Sequence, residues 1–412
     1  MHLSNKFKLL FNVIRNSKTK DYQELFSLLK FLFQGGKIFS IFSPRIGHQI
    51  LNTFAFCSYI TPDESSRFKL AISNPKRLSS NIFITKFWTR YLTQKGYLVF
   101  ESDLSNLLVE VLIKLTKSGN EYVGHKLEGT KEFYISTKKS ITYIFHNRND
   151  AGQIAKKGFN PLPKLKFEVS SPIPDFIEPL KYVCTFTRDS EYLDSPKFKQ
   201  DFSYHDYRND DYLKLIPTVE YLNSQSIPVL RMGNVKRNLG SQYFSREHVD
   251  FKDCSKDGSD DVVLCSNCLF YIGDTSGLAN VAAFFGRPVL RYNWIPIFNS
   301  QPYKTLVMPM LIKDLKTDEF LPFRKVWELK QKGLNISNGY SYTKFGLQCI
   351  RNTKEEISDI SKEMLRRVKE NDFEPSHPYQ KRFESMMKSI GWYNPGIIGY
   401  SFMEKYGHLF FD

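Results

Sequence analysis

Residues 268–293, CLFYIGDTSGLANVAAFFGRPVLRYN, hold the chain's sharpest concentration of groups suited to binding an anion. The run reads as strand, tight turn, helix, glycine turn and strand. Gly273 closes the first strand. Asp274, Thr275 and Ser276 put short polar side chains at the helix start, and Gly277 lets a ligand come close to the backbone. The first amides of a helix lack intrahelical acceptors and carry the positive end of its dipole, so residues 276–279 suit a phosphate. Ala279, Ala282 and Ala283 are small enough for the helix to lie close to a sheet. Gly286 ends the helix and Pro288 starts the next strand. A ligand would sit outside the carboxyl end of strand 269–273. The same residues also fit an ordinary strand–helix–strand unit with an Asp/Ser N-cap.

Further polar groups follow other expected strands. Arg188 and Asp189 come directly after strand 181–187, and Arg231 and Gly233 sit at the end of strand 228–231. Two arginines at strand ends suit bidentate contacts to a diphosphate. Residues 204–209 gather His205, Tyr207, Arg208 and Asn209 in a polar loop. That loop suits a sugar or its phosphates, or else it caps a helix that Asp210 and Asp211 precede. Asp210-Asp211 and Asp260-Asp261 are carboxylate pairs, but neither is an Asp-x-Asp after a strand, so no obligate metal is expected. Nearer the amino end, Arg45-Ile46-Gly47-His48 follows strand 37–42. Gly47 allows a sharp turn there, and His48 then stands near a helix start with Asn52 four residues on, on the same face. A histidine titrating near neutrality suits a general base. Asp103, His125 and His146 are weaker candidates for that role.

These residues need rigid elements to hold them. Residues 1–33 read as helical, 37–42 as strand, 47–60 as helix, 81–93 as helix, 96–100 as strand, 102–117 as helix and 141–146 as strand. Five prolines between Pro161 and Pro179 impose an extended, semi-rigid run. A second series follows, with strand 181–187, helix 210–225, strand 228–231, the end of a helix at 261–267, then the 268–293 unit. Asn338-Gly339-Tyr340 reads as a turn, residues 343–350 as a candidate part of the cleft, and 379–391 as a helix. Alternating β and α implies mostly parallel sheets covered by helices. The expected fold class is α/β, with two doubly wound Rossmann-like domains facing a cleft. The expected divisions are a basic helical segment (1–36), an acceptor-side domain (37–160), a Pro-rich linker (161–179), a donor domain (180–375) and a helical tail (376–412).

The 412 residues exceed a single small core, and 41% hydrophobic with 25% charged residues excludes wholesale disorder and a polytopic membrane protein. Lys plus Arg is 58 against 43 Asp plus Glu, a formal charge of +15, which favours an anionic partner. The basic residues are dispersed and no nucleic-acid-binding signature appears, so nucleic acid is not an expected partner. Six widely spaced cysteines do not read as a disulfide framework, which points to a reducing, cytoplasmic compartment. Cys265 and Cys268, with Cys254, fall short of four zinc ligands. No run is long enough to span a bilayer, and the amino end lacks a secretory signal pattern. Residues 1–37 carry seven basic and two acidic residues among Phe and Leu. Such a helix either lies on an anionic membrane surface or covers the first domain.

The RIGH, RD, YRN, RMG and GDTSGL segments, in that order, resemble a family of bacterial glycosyltransferases of the two-domain glycosyltransferase B fold. The similarity is best over residues 180–300, weaker over 40–110, and fades at both termini. It implies donor-binding roles for Arg188, Asp189, His205, Tyr207, Arg208, Asn209, Arg231, Gly233, Asp274, Thr275, Ser276 and Gly277. Arg45, Gly47 and Asn52 would be acceptor-side and His48 the base. A final helix returning to the first domain is also a family expectation. The implied activity is transfer of a sugar from a nucleotide-diphosphate donor to a hydroxyl of a surface-glycan or lipid-linked acceptor, without a metal cofactor. A sugar-nucleotide epimerase of the same fold is the competing enzyme, and a basic glycan- or nucleic-acid-binding protein the non-enzymatic alternative. The expected location is cytoplasmic, peripheral at the inner face of the membrane.

Overall fold

Short apolar runs separated by helical periodicity give alternating strand and helix in the computed structural model, which describes residues 12–34, 37–40, 46–59, 70–73, 81–115, 161–189, 201–233, 239–251, 258–295, 301–302, 304–390 and 396–410. The chain divides into two compact units, residues 1–150 with 257–259 and residues 151–256 with 260–412.

The first unit runs α1 (Thr19–Phe33), β1 (Lys37–Ser40), α2 (Ile46–Tyr59), β2 (Leu70–Ser73), α3 (Ile82–Gln94), β3 (Val99–Phe100) and α4 (Asp103–Leu115). Its described strands form a parallel sheet in the order β1-β2-β3, with Lys37 opposite Leu70 and Ile72 opposite Val99. Helix α3 begins where Asn81 accepts a hydrogen bond from the Ile84 amide, and it buries Ile84, Trp88 and Leu92 at four-residue spacing. The helix α2 already includes Gly47 in its first turn, so the sharp turn expected there is helical backbone instead. The strand expected at 141–146 lies outside the described residues.

The second unit holds a seven-stranded, wholly parallel sheet. Its strands are β4 (Val183–Phe186), β5 (Val229–Arg231), β6 (His248–Asp250), β7 (Phe270–Gly273), β8 (Val289–Trp294), β9 (Thr305–Pro309) and, after two strands outside the sheet, β12 (Ile397–Ile398). The spatial order is β12-β9-β8-β7-β4-β5-β6. The chain therefore builds outward from β4 to β6, then reverses and builds the other way from β7. This is the doubly wound arrangement, with its switch point between β4 and β7. Strands β7, β8 and β9 are buried along their whole length, as expected of a parallel sheet covered on both faces. An antiparallel pair, β10 (Leu311–Asp314) and β11 (Leu347–Ile350), stands beside the sheet.

The helices of this unit are α5 (Ile216–Ser224), α6 (Ser259–Asn267), α7 (Gly277–Phe284), α8 (Phe323–Gln331), α9 (Gly339–Lys344), α10 (Lys354–Glu370), α11 (Pro378–Ser389) and α12 (Tyr400–Tyr406). The helix expected over 210–225 is broken into a 3-10 turn (Tyr212–Leu215) and α5, because Pro217 cannot donate the bond a continuous helix needs and instead starts one. The turn expected at Asn338-Gly339-Tyr340 is the start of α9, where the Asn338 carboxamide accepts from the Ser341 amide at 3.3 Å. The proline-rich stretch lies extended on this unit. Leu162 is buried and its amide donates to the Phe284 carbonyl at 2.8 Å, and the Ser170 and Ser171 amides both donate to the Asp260 carboxylate. That carboxylate is thereby committed to loop anchoring. The C-terminal segment also packs within this unit, with Ile397 pairing to Leu306 at the edge of the sheet.

Candidate functional site

The last residues of β4 and β7 are direct partners, Phe186 opposite Gly273, so residues 187–189 and 274–276 leave the sheet side by side at the switch point. Gly273 has no side chain for a reason of space: a Cβ there would stand 2.8 Å from the Phe186 carbonyl oxygen. The two segments are then tied together, because the Arg188 amide donates to Asp274 Oδ2 at 2.6 Å. Thr187 and Tyr292 share a hydroxyl–hydroxyl bond of 2.6 Å that brings the end of β8 into the same place.

Ser276 caps helix α7. It has extended backbone, and its hydroxyl accepts from the Ala279 amide and is paired with the Tyr271 hydroxyl at 3.0 Å. Thr275 braces the turn through a 3.3 Å bond to the Ile295 carbonyl. Asn280, on the next turn of the helix, accepts from Arg291 Nη2 of β8 at 2.8 Å. The helix thus points its amide end at the switch point from a fixed position. Burial lowers the Arg291 guanidinium to about 10, so it still carries its charge at neutral pH.

The opposite wall comes from 203–210. A 3-10 helix (Ser203–Arg208) ends at Asn209, whose side-chain oxygen accepts from Arg188 Nε at 3.1 Å. The Asp210 amide donates to the Arg188 carbonyl at 3.1 Å, and Arg351 Nε donates to the Asn209 carbonyl at 2.6 Å. Arg188 is half-buried and held by its own main chain on both sides. Tyr207 and Arg208 turn toward a different segment. The Tyr207 hydroxyl donates to the Ile336 carbonyl, Arg208 Nε donates to the Tyr207 hydroxyl at 2.9 Å, and the guanidinium lies over the Tyr207 ring. His205 is buried beside the rings of Phe202 and Tyr204.

The two arginines that look alike in sequence have different surroundings. Arg231 is 3% exposed, its guanidinium pairs with Asp250 at the end of β6 at 3.1 Å, and it lies over the Tyr212 ring. Its guanidinium is paired inside the sheet's edge, whereas Arg188 leaves β4 beside Asp274 and reaches Asn209. Gly233 adopts a φ of +86°, and a Cβ there would meet the Phe186 ring at 2.5 Å, so the residue makes room for strand β4's terminal side chain.

Asp274 is the most perturbed acid of the site. It is buried, and burial raises its carboxyl to about 7 despite the Arg188 amide and guanidinium, with Asp210 and Asp189 pushing the same way as burial. Its second oxygen, Oδ1, accepts no hydrogen bond from the described residues. Near neutrality this side chain exchanges a proton.

Of the first-unit candidates, Gly47 is buried in α2 and Asp103 is exposed at the start of α4. The backbones of His48 and Asn52 lie in α2, but their side chains are outside the described ones. Arg45, His125 and His146 are outside the described residues altogether. Cys184, Cys265 and Cys268 are free and buried, and burial raises the Cys184 and Cys265 thiols. Cys254 lies outside the described residues. Among the described residues no group of three or more His, Cys, Asp or Glu is arranged to hold a metal ion.

The sequence did not reveal a buried amide network beneath the Asn209–Asp210 wall. Asn293 and Asn352, 59 residues apart, exchange bonds: the Asn293 amide donates to Asn352 Oδ1 at 2.6 Å and the Asn352 amide to Asn293 Oδ1 at 2.7 Å. Asn293 Nδ2 donates to Asp210 Oδ2 at 2.6 Å, and Lys214 Nζ reaches Asp210 Oδ1 at 2.9 Å. Asn293 holds a left-handed φ of +46°, which asparagine tolerates better than most residues. The only local signal was an Asn at the end of an expected strand. Replacing Asn352 with alanine leaves the Asn293 amide and the Pro309 carbonyl without their partner, and is expected to lower unfolding free energy by about 2 kcal/mol in urea titration. An unchanged midpoint would show that the network holds nothing in place.

No family model and no curated protein matches the chain. Solved structures similar to it are glycosyltransferases. TibC of enterotoxigenic E. coli, described as an iron-containing dodecameric glycosyltransferase, is 15% identical with a TM-score of 0.38, over 66% of this chain and 61% of that one. A glycosyl transferase family 9 protein of Veillonella parvula is 11% identical with a TM-score of 0.38, over 80% and 97%. The heptosyltransferase WaaC of E. coli is 9% identical with a TM-score of 0.34, over 72% and 98%. The chain thus spans about three fifths of the length of TibC. At these scores the likeness carries no weight for the chemistry; the α/β fold stands on the chain's own strand order.

Proposed function

We propose that the chain is a glycosyltransferase that takes a sugar from a nucleoside-diphosphate donor and places it on a hydroxyl of a bacterial surface glycan. The observation that carries this reading is that Arg188, tied through its amide to Asp274, and the Ser276-capped amide end of α7 leave the sheet side by side at the β4/β7 switch point. Crevices at such reversals are where doubly wound sheets bind nucleotides. A fixed guanidinium and a helix N-terminus both stabilise the negative charge that grows on a leaving diphosphate. That charge is met by protein groups, so the reaction needs no obligate metal in this reading. Asn209, which holds the Arg188 side chain, is the donor-side residue of the 203–210 segment, and His48 in the first unit is the proposed base toward the acceptor hydroxyl.

The test is a thermal-shift panel of UDP-, GDP-, ADP- and CMP-sugars. A ligand at a hundred times its Kd stabilises by about 2.7 kcal/mol, a shift of several degrees for a unit of this size. The diphosphate donors are expected to raise Tm, and CMP-sugars, with a single phosphate, much less. No shift with any of the four removes the proposed donor site.

A further inference from the structure

We infer that helix α1 docks the protein onto an anionic lipid surface through an aromatic stripe along its outer side. Tyr22, Phe26, Lys30 and Phe33 follow one another at four-, four- and three-residue spacing, which aligns them on one helix face. All four are exposed, and the aromatic rings bring large apolar surface into water: Phe33 is 89% exposed and Phe26 68%. Isolated exposed apolar residues are ordinary, but two largely exposed phenylalanines on one face of a single helix are a patch with a direction.

The other face of the helix is already occupied. Leu28 is fully buried, the Phe31 ring packs 6.3 Å from that of Phe100, and α1 lies against α4. The helix therefore needs no exposed aromatic residues to hold its place in the first unit. The Tyr22 hydroxyl donates to the Ile14 carbonyl at 3.1 Å, while the Phe26 and Phe33 rings stand out from the packed face.

The charges select the partner. Arg15, Lys18, Lys20 and Lys30 are exposed on or beside this helix. Its two acids are turned to backbone amides: Asp21 accepts from the Lys18 amide at 2.7 Å, and Glu24 from the Ser102 amide at 2.8 Å. The exposed surface carries aromatic rings and four cations against two half-buried acids. Rings that insert at the headgroup boundary, with lysines whose stems reach back to phosphate, match an anionic bilayer in both terms. Among the described residues no helix is long and apolar enough to cross a membrane, so this contact is interfacial.

The inference goes beyond the transfer reaction and is tested without activity. The full chain is sedimented with vesicles of phosphatidylcholine alone and with vesicles containing roughly a third phosphatidylglycerol. Binding to the anionic vesicles is expected to be tighter by roughly tenfold or more and to weaken as salt rises. The double substitution Phe26→Ser with Phe33→Ser is expected to reduce that binding by roughly tenfold or more. Lys20→Glu with Lys30→Glu is expected to abolish the preference for anionic lipid, and it carries the test should the serine variant fail to fold. Equal binding by wild type and both variants overturns the proposal, as does absence of binding to either vesicle. A concentration-dependent dimer that the serine variant dissolves, without any vesicle binding, makes the stripe a self-association face and also overturns it.

Discussion

Arg188→Ala is expected to weaken nucleoside-diphosphate binding by about 10- to 100-fold while leaving the fold in place. Hydrogen bonds to charged groups contribute about 1.5–3 kcal/mol each, which sets that range. The substitution is informative because the position of the residue does not depend on its side chain. Its amide is held by Asp274 Oδ2 and its carbonyl by the Asp210 amide, and both bonds survive truncation to alanine. What disappears is the guanidinium with its contacts, among them the bond to Asn209 and the charge beside Asp274. Arg188→Lys should recover only part of the loss, since a point charge replaces a planar fork. Isothermal titration with UDP, GDP and ADP measures the effect. An unchanged Kd in a variant with unchanged Tm takes Arg188 out of the site. Arg231→Ala provides the contrast: its buried guanidinium pairs with the half-buried Asp250 inside the protein, so its loss is expected to appear as lost stability rather than lost binding.

That contrast also shows what was legible in the sequence. Both arginines follow a strand, and nothing local distinguishes them. The difference is made by β6, a three-residue strand that pairs with β5 and sets Asp250 opposite Arg231. Such a short run carries no periodicity, and its partner is fixed only by sheet formation. The same limit hid the Asn293–Asn352 exchange, since each asparagine looks like an ordinary residue at the end of a strand until β8 and β11 have folded. Local chemistry was readable where it was self-contained. The Ser276 cap, the polar turn before it and the glycine after the helix all lie within one strand–helix–strand unit, and the structure places them within a residue or two of the sequence reading. Most of the strand and helix alternation was legible for the same reason, but β2 (Leu70–Ser73), the middle strand of the first sheet, and β9 (Thr305–Pro309) were not read as strands. The order reversal between β4 and β7, which turns separate strand ends into one site, is a property of pairing between distant segments.

Asp274→Asn is expected to remove a pH dependence from both stability and ligand binding. Burial raises the Asp274 carboxyl from 3.8 to about 7. The native state therefore holds this proton more tightly than the unfolded chain does. The associated stability is fully present below about pH 4 and is lost as pH rises through 7. A shift of that size corresponds to a few kcal/mol, at about 1.4 kcal/mol for each unit. Asparagine has nearly the shape of the protonated acid and still offers an oxygen to the Arg188 amide, but it cannot ionise. The variant should match the wild type near pH 4.5 and exceed it near pH 8, a crossing that urea titration at the two values detects. Binding should follow the same sign. Above pH 7 the wild type places a carboxylate beside Arg188, where a diphosphate is proposed to lie, and like charges held in a buried setting repel with little screening. Affinity for a nucleoside diphosphate should fall as pH rises from 6 to 8 in the wild type, and stay flat in the variant. Parallel pH profiles in the two proteins would mean that Asp274 does not titrate in this range, and would leave its buried Oδ1 without a proton to explain it.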